Sequence, residues 1–506
     1  MMLPEKFVDR VLRDLGETEG AALCAALDAE PPVSVRLNPA KTGPETAAAG
    51  CGAEQPAGPD TESDSGCNAT PAAGCDANPV AEPDAGHPGP GTAELPALTI
   101  AGCVPWCREG RYLAVRPAFT LDPDFHAGAY YVQEASSQFV GHLLAAVPTQ
   151  GARILDLCAA PGGKTTLYAS LAGPDGLVVA NEIDRRRASV LADNVRKWGT
   201  GNVAVTTCEP RALGDFEAWF DVVAVDAPCS GEGMFRKDPD ARGEWSEGHV
   251  KLCAARQDDI LREAWRALRP GGTLVYSTCT FNRDEDEGSL ERMAAWAGDE
   301  IVASEAMPVE DAWGIVCGRV GAFRTFRFYP HRACGEGFFA AVARKSFDAG
   351  GRVRTPKARR TPFAAVDRKT SGELARWVQH PDRMRFAAVA DTCYAWYAAQ
   401  ADAVRMLSEA LPVIYSGVAL GQVFKGVLKP DPALAFFDGL NRGALPVAEL
   451  DGEEVLRFLR RQEIAAGGLA EGMNLICSRG RALGFAKRIG VRVNNLYPNS
   501  LRIIKQ

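Results

Sequence analysis

The chain has 506 residues, of which 46% are hydrophobic, and this length allows two to four domains with sizeable buried cores. No apolar run is long enough to span a bilayer, and the N-terminus lacks the apolar segment of a signal peptide. We therefore expect a cytoplasmic protein without membrane contact. The net charge of −8 argues at first sight against a nucleic-acid partner.

The negative charge is concentrated in one segment. Residues 42–98 contain nine acids and neither Lys nor Arg, and without them the rest of the chain has a net charge of +1. The segment is rich in Ala, Gly, Pro, Asp and Glu and has no hydrophobic periodicity, which is typical of disorder. We interpret it as a disordered acidic insertion, so the overall charge does not exclude an RNA partner.

The N-terminal part combines helical and strand patterns. Apolar residues recur at helical spacing over residues 3–28, and residues 33–38 alternate like a strand. A further strand is predicted near residues 112–115, after the insertion. These elements predict a small α+β region over residues 1–115.

From about residue 128 the pattern alternates between short apolar strands and longer helices. Strands are predicted at 153–157, 177–181, 202–207, 221–225 and 273–276, and helices at 164–172, 185–198 and 249–268. This βαβ rhythm predicts a parallel sheet with helices on both faces. Residues 323–329 and 337–343 predict an antiparallel pair that closes the sheet.

The C-terminal third carries two basic stretches. Residues 352–376 contain eight Lys and Arg residues, and residues 478–506 contain seven with no acid. A helix is predicted between them at 450–461. Both stretches are candidate phosphate contacts, with Phe485 and Tyr497 as possible stacking groups for bases.

A turn of small residues joins the first strand of the parallel sheet to its helix. Gly162 and Gly163 allow close backbone approach to a ligand, and the helix N-terminus offers free N–H groups. The spacing is neither that of a P-loop nor that of a dinucleotide fingerprint. Glu182, after the next strand, suits two ribose hydroxyls, and Glu209, after the third, could reach an adenine amine. The arrangement predicts a phosphate-free adenosine ligand, with S-adenosylmethionine as the obvious candidate.

Two cysteines each follow a strand-like run. Cys229 lies in Asp226-Ala-Pro-Cys-Ser-Gly-Glu-Gly, and Cys279 lies in Tyr276-Ser-Thr-Cys-Thr. A thiolate is a strong nucleophile, and cytosine C5 does not attack a methyl donor until a nucleophile has added at C6. The pair therefore predicts pyrimidine methylation, in which one thiol attacks and the other assists release. No second Cys/His pair has metal-ligand spacing, so we predict no metal site.

These motifs together resemble a known family. The runs CAAPGGK, NEID, DAPCSGEG and STCT, preceded by YYVQEASSQ, look like those of the Sun-type (NOL/NOP/Sun) RNA 5-methylcytosine methyltransferases. The strings RFYPHRACGEGFF and GFAKRIGVRVNN narrow the resemblance to the bacterial RsmF-like branch, which acts on 16S rRNA. The motifs cover residues 104–345, and weaker similarity extends to the C-terminus.

The resemblance implies an α/β architecture around a Rossmann-like class I S-adenosylmethionine-dependent methyltransferase domain. The implied organisation is an N-terminal RNA-binding region at 1–115, a catalytic domain at 116–345, a basic linker at 346–378 and a C-terminal PUA-like RNA-binding region at 379–506. The implied partner is 16S rRNA, in the small ribosomal subunit or an assembly intermediate. We expect a monomer.

The resemblance also implies roles for individual residues. Cys279 would be the nucleophile, Cys229 would assist elimination, and Asp226 would contact N3 and N4 of the base. Lys164 would orient the base or balance charge beside the aspartate. The implied cofactor contacts are Cys158, Ala159, Ala160, Pro161, Gly162, Gly163, Lys164, Glu182, Glu209 and Asp226. Glu209 is a departure, since the family usually has Asp at this position.

Two other functions compete with this one. The same chemistry could act on tRNA, or the chain could be a ribosome-assembly factor whose methyltransferase fold is vestigial. The intact cysteines, Asp226 and glycine turn disfavour the second alternative. An adenine N6-methyltransferase would need an Asn/Asp-Pro-Pro-aromatic motif where this chain has Asp-Ala-Pro-Cys.

Overall fold

The computed structural model describes residues 2–43, 95–359 and 361–504. Most of the predicted disordered insertion therefore lies outside the described residues. Both of its ends are ordered, however: Thr42 belongs to a short helix, and Leu95 and Leu98 are buried in a hydrophobic cluster. None of the helices in the described ranges has the length and apolarity needed to cross a bilayer.

The N-terminal part of the structure combines five helices with a small antiparallel sheet. Its helices are α1 (Glu5–Leu15), α2 (Glu17–Leu27), α3 (Pro39–Thr42), α4 (Pro123–His126) and α5 (Ala135–Leu144). Its strands are β1 (Val33–Leu37), β2 (Ile100–Cys103), β3 (Gly110–Leu113) and β4 (Tyr130–Tyr131), in the order β2-β3-β1-β4. The single helix predicted over 3–28 is wrong, because Gly16 adopts a φ of 83° and separates α1 from α2.

The central domain is built on the predicted parallel sheet. Its parallel strands are β5 (Arg153–Asp156), β6 (Leu177–Asn181), β7 (Val203–Thr206), β8 (Phe220–Asp226) and β9 (Leu268–Thr278). The strands β10 (Ile301–Val302), β11 (Val316–Val320), β12 (Phe323–Phe328) and β13 (Phe338–Lys345) extend it in antiparallel fashion. The connecting helices are α6 (Gly163–Ala172), α7 (Arg185–Trp198), α8 (Pro210–Gly214), α9 (Ala241–Glu244), α10 (Glu247–Ala267) and α11 (Glu287–Ala297).

The strand order of this sheet fixes where a ligand can sit. The parallel strands lie in the order β7-β6-β5-β8-β9. The chain therefore runs from β5 through β6 to β7 on one side, and then crosses back to β8 on the other side of β5. Such a switch point opens a crevice at the carboxyl ends of the strands. Side chains alternate between two buried clusters on opposite faces, with Ile154 in one and Leu155 in the other.

The C-terminal part contains two further sheets. The first comprises β14 (Phe363–Ala365), β15 (Met384–Val389), β16 (Thr392–Tyr397), β18 (Val418–Phe424) and β19 (Val427–Pro430). The second comprises β20 (Val447–Glu449), β21 (Gly472–Ser478), β22 (Arg481–Ile489) and β23 (Arg492–Asn495). The helices are α12 (Arg368–Ala375), α13 (Ala401–Ala410), α14 (Pro432–Phe436) and α15 (Gly452–Leu459). The predicted basic linker is partly regular structure, since β14 and α12 fall within it.

One strand from this C-terminal part belongs to the central sheet. Strand β17 (Val413–Ser416) pairs antiparallel with β7 and completes the edge of the parallel sheet. The chain therefore returns to the central domain after leaving it. Tertiary pairing, and not local pattern, decides this arrangement, because a four-residue apolar run has no preferred partner in the sequence.

Candidate active site

The turn between β5 and α6 has the geometry that its small residues predict. Gly162 adopts a left-handed φ of 113°, and a Cβ there would approach Leu191 to 3.0 Å. The Thr165 hydroxyl donates a 2.6 Å hydrogen bond to Asp156 Oδ2 at the end of β5. Burial raises the pKa of Asp156 to about 7. The other oxygen, Asp156 Oδ1, is buried without a hydrogen-bond partner in the described part of the chain.

A cavity of about 690 Å³ lies beside this turn. Three predicted cofactor contacts line it, namely Cys158, Glu182 and Glu209. Glu182 is 3% exposed; its Oε2 lies 3.2 Å from Arg187, and its Oε1 accepts a bond from the Asp184 N–H. The remaining predicted contacts, from Ala159 to Lys164 together with Asp226, do not line this cavity.

Lys164 and Asp226 form an ion pair at the carboxyl ends of the parallel strands. Lys164 Nζ lies 2.9 Å from Asp226 Oδ2, and the Ser277 hydroxyl donates to Asp226 Oδ1 at 2.8 Å. Burial opposes the charge on Lys164, but the Asp226 carboxylate and the nearby Cys279 outweigh it and raise the Lys164 pKa. The ammonium also lies 5.2 Å from the centre of the Phe338 ring.

The two predicted cysteines meet at the ends of adjacent strands. Cys229 follows β8 and Cys279 follows β9, and their Sγ atoms are 3.3 Å apart. The Cys279 N–H also points at Cys229 Sγ, at 3.4 Å. The hydrogen bond with Cys279 and burial together raise the pKa of Cys229 well above its ordinary value. The two sulfurs are within hydrogen-bonding distance, and either thiol can be the donor.

A buried glutamate that sequence reasoning missed ties the two cysteine loops together. Glu285 Oε2 accepts hydrogen bonds from the Ser230 N–H at 2.9 Å and from Gln257 Nε2 at 2.8 Å. Its Oε1 accepts from Asn282 Nδ2 at 2.6 Å. Ser230 follows Cys229, and Asn282 lies three residues after Cys279, so one carboxyl group sets the spacing of both loops. The signal in the sequence is the acidic run 284–287, which begins five residues after Cys279.

A second missed glutamate connects this site to the N-terminal helices. Glu232 is fully buried and accepts from Trp245 Nε1 at 2.8 Å and from the Phe281 N–H at 3.1 Å. Arg10 of α1 lies 2.7 Å from the same carboxylate. The N-terminal region therefore contributes directly to the loop that carries Cys229.

Comparisons with known proteins place the chain in a family. Residues 143–344 match the family described as 16S rRNA methyltransferase RsmB/F. Residues 446–503 match the RsmF PUA domain, and residues 93–135 match the N-terminal domain of RsmF. Ribosomal RNA small subunit methyltransferase F of Shewanella loihica is 32% identical over 418 residues, which cover 79% of this chain and 83% of the relative. The chain belongs to the RsmF family of rRNA methyltransferases.

Other relatives agree with this assignment. Ribosomal RNA small subunit methyltransferase F of Escherichia coli O81 is 32% identical over 424 residues, covering 79% of this chain and 84% of that protein. The solved structure of NSun6 from Pyrococcus horikoshii with SFG has a TM-score of 0.51 at 20% identity and covers 68% of this chain and 98% of that one. This likeness shows the shared fold. The predictions of an RsmF-like chain, a Rossmann-like methyltransferase domain and a C-terminal PUA domain are confirmed.

As a member of this family, the chain is an S-adenosylmethionine-dependent rRNA methyltransferase, and its site suits that cofactor. The cavity beside Glu182 is within the size range of small-molecule sites, about 300–1,000 Å³. The unpaired Asp156 Oδ1 offers an acceptor at the strand end where the turn begins. Across the described ranges, no group of three or more His, Cys, Asp or Glu residues could hold a metal ion.

Several residues of the C-terminal tail, 478–506, that were predicted to contact RNA are buried or paired within the protein. Phe485 and Tyr497 are 1% and 0% exposed, so the prediction that they stack on bases is wrong. Arg479 and Arg481 each approach Asp124 to 2.7 Å, and Tyr497 hydrogen-bonds to His126 Nδ1. These contacts hold the sheet β20–β23, which lies within the match to the PUA domain, against α4. Exposed cations such as Lys487 and Arg492 are the ones still available to phosphate.

Proposed function

We propose that this protein methylates C5 of a cytosine in 16S rRNA, with Cys279 as the covalent nucleophile. The observation that carries the proposal is the 3.3 Å pair of Cys229 and Cys279 thiols beside the Lys164–Asp226 ion pair. Methylation at a nucleophilic nitrogen or oxygen needs no thiol. Two thiols converging on one point suit a carbon that must first be activated by addition.

Asp226 holds the target base in this proposal. Its carboxylate accepts a hydrogen bond from the N4 amine of cytosine, a contact that carboxylates make with this base, and from N3 once that nitrogen is protonated. Ser277 and Lys164 fix the orientation of the carboxylate. Lys164 also balances the negative charge that Asp226 and a Cys279 thiolate bring into a partly buried site.

Cys279 loses its thiol proton to solvent and forms a bond from Sγ to C6 of the base; the C5–C6 double bond opens, and its electron pair makes C5 nucleophilic. When bound, S-adenosylmethionine would supply the methyl group to C5 and leave as S-adenosylhomocysteine. A water molecule takes the C5 proton, the C5–H electron pair re-forms the C5–C6 double bond, and the S–C6 bond breaks with its electron pair returning to Cys279 as a thiolate. Cys229 lies within 3.3 Å of the reacting sulfur and assists this elimination.

The same proposal assigns the cofactor contacts. Glu182 accepts hydrogen bonds from the ribose hydroxyls, and Glu209 accepts one from the adenine amine. The backbone of the turn from Cys158 to Lys164 lies against the methionine part. Glu209 is exposed and one methylene longer than the usual Asp, so its contact is made from the rim of the cavity.

The target cytosine must leave its stack before Cys279 can reach C6, so it comes from a loop or is flipped. We propose that the substrate is 16S rRNA in the small subunit or an assembly intermediate, and that the enzyme acts in the cytoplasm as a metal-free monomer. The N-terminal region at 1–115, the linker at 346–378 and the C-terminal region at 379–506 would bind RNA around the catalytic domain at 116–345.

The test is transfer of labelled methyl from S-adenosylmethionine to purified small ribosomal subunits, 16S rRNA and bulk tRNA, followed by bisulfite mapping. Label at one cytosine C5 in 16S rRNA is the expected result. Label confined to tRNA would refute the rRNA substrate, and no label despite cofactor binding would refute the reaction. Cys279→Ala is the matched control, because it removes one sulfur and leaves the cofactor cavity intact.

A further inference from the structure

We call the turn from Cys158 to Lys164 the cofactor turn. A second cavity lies on its other side and is lined mainly by aromatic rings and cations. It has a volume of about 300 Å³ and lies between the segment 116–132 and the C-terminal half of α7. We call it the aromatic pocket. Its lining consists of Arg116, Phe119, Thr120, Phe125, Gly128, Tyr130, Tyr131, Val132, Asn194, Lys197 and Trp198.

Three of the rings form a continuous wall. The centres of the Phe119, Phe125 and Tyr130 rings lie 6.0 to 6.5 Å from one another. Phe125 is partly exposed, whereas Phe119 is 8% exposed and Tyr130 is 2% exposed. A wall of this kind presents flat apolar surface to a ligand while the packed rings behind it hold the surface rigid.

The pocket has two cations and no acid in its lining. The Arg116 guanidinium lies 5.5 Å from the Phe119 ring centre, and Lys197 Nζ lies 4.2 Å from that of Phe125. The Lys197 ammonium has no hydrogen-bond or ion-pair partner within the described ranges, although the Lys197 backbone carbonyl accepts from Lys41 Nζ, and the neighbouring Asp193 pairs with Arg196. Burial lowers the pKa of Lys197 to about 8. An anion bound at this ammonium would replace the solvation that burial removes.

The pocket shares a wall with the cofactor turn. The Tyr131 hydroxyl donates to the Pro161 carbonyl at 3.1 Å, and Asn194 Nδ2 donates to the same carbonyl at 2.8 Å. Asn194 also donates to the Tyr131 oxygen at 3.2 Å. A ligand in the aromatic pocket would therefore lie one residue layer from the turn that approaches the cofactor.

We propose that the aromatic pocket binds one nucleotide of the RNA substrate other than the target cytosine. The base stacks on Phe125, the partly exposed ring of the wall, and the phosphate lies against Lys197 and Arg116. Stacking groups together with unpaired cations are the features by which proteins hold single-stranded nucleotides without reading their sequence. This inference rests on the proposed RNA methylation and deepens it, because it adds a second point at which the RNA is held.

Binding of 16S rRNA at several salt concentrations tests the inference. Wild type, Lys197→Met, Arg116→Gln and Phe125→Leu would be compared between about 50 and 200 mM salt. Each lost phosphate contact should reduce the slope of log affinity against log salt by about 0.7, the value for single strands. Phe125→Leu should weaken binding about 5-fold or more and leave the slope unchanged, because stacking involves no counterion.

Methyl transfer supplies a second readout on the same variants. The KM for RNA should rise with the dissociation constant while kcat at saturating RNA stays within about twofold of wild type, because the pocket does not touch the reacting atoms. Arg266→Gln is the control, since Arg266 is an exposed cation of α10, outside the proposed RNA-binding regions, that pairs with Asp215 and Glu263. Its salt slope and KM should equal those of the wild-type enzyme.

Three outcomes would count against the proposals in different ways. If wild type methylates 16S rRNA but all three pocket variants bind it with unchanged affinity and slope, the pocket inference is wrong. If wild type neither binds nor methylates the RNA, the proposed function itself fails. Titration of AMP and CMP forms the third arm: mononucleotide binding that Lys197→Met abolishes, with RNA affinity unchanged, would assign the pocket to a free nucleotide instead.

Discussion

Glu285→Gln is the substitution that most directly tests how the active-site loops are held. The glutamine has the same shape but replaces one acceptor oxygen by an NH2 donor. If its oxygen keeps the bonds to Ser230 and Gln257, its NH2 faces the Asn282 amide; in the other orientation, both of the former bonds are lost. At least one buried hydrogen bond is therefore replaced by a clash of two donors.

The size of this effect follows from the bonds that are broken. Leaving a buried donor unsatisfied costs about 1–3 kcal/mol, and a central value of about 2 kcal/mol corresponds to roughly a 30-fold change in a local opening equilibrium. We expect the Ser230 amide to exchange hydrogen about 30-fold faster than in the wild type. The kcat for methyl transfer should fall as well, because the 3.3 Å spacing of Cys229 and Cys279 depends on both loops.

Hydrogen–deuterium exchange of the peptide spanning 228–233, measured beside methyl transfer, checks both expectations. Glu291→Gln is the matched control, since Glu291 lies on α11 and is exposed. It should change neither quantity. Wild-type exchange at Ser230 together with wild-type kcat in Glu285→Gln would show that this carboxyl group does not hold the loops.

The remaining predictions concern the two cysteines, the affinity for the cofactor and the pH dependence of stability. Cys279→Ala should abolish methyl transfer, whereas Cys229→Ala should accumulate protein covalently bound to RNA on a denaturing gel; release without accumulation would contradict the role of Cys229. Glu182→Gln should raise the dissociation constant of S-adenosylmethionine by about 10- to 100-fold in calorimetry and leave RNA affinity unchanged. Burial raises the pKa of Asp156 from 3.8 to about 7, so the folded state keeps a proton that the unfolded chain releases in this window. Wild-type stability should therefore fall, relative to Asp156→Asn, as the pH rises from about 4 to about 7; parallel melting profiles of the two proteins would refute this.

The order of the central elements could be predicted because their signals are local. Strands β5 to β9 and the longer helices α6, α7 and α10 appear in the sequence as segments of the right period and length, whereas the short helices α8 and α9 were not predicted. The glycine turn and both cysteine motifs follow strands directly, so parallel pairing places them at one edge of the sheet. For the same reason the sequence predicted the glycine turn and the two cysteines by residue number, and the structure places the two cysteine sulfurs 3.3 Å apart.

Contacts between distant segments could not be predicted in this way. Arg479 and Arg481 look like free cations in the sequence, yet they pair with Asp124, which lies about 350 residues earlier in the chain. The strand β17 looks like part of a C-terminal domain but completes the central sheet. Nothing within a short window of sequence distinguishes these outcomes from their alternatives, because each depends on the partner that packing supplies.

The amino-acid sequence alone thus determined the class of fold and the family, and it predicted the residues that we propose to carry the chemistry. The tertiary structure alone decided that Cys229 and Cys279 lie 3.3 Å apart, that Glu285 and Glu232 hold their loops, and that rings and unpaired cations line a second pocket. The physical reason is range. Periodicity and turn chemistry act over a few residues, whereas a side chain's burial, partner and pKa are set by atoms that folding brings from far along the chain.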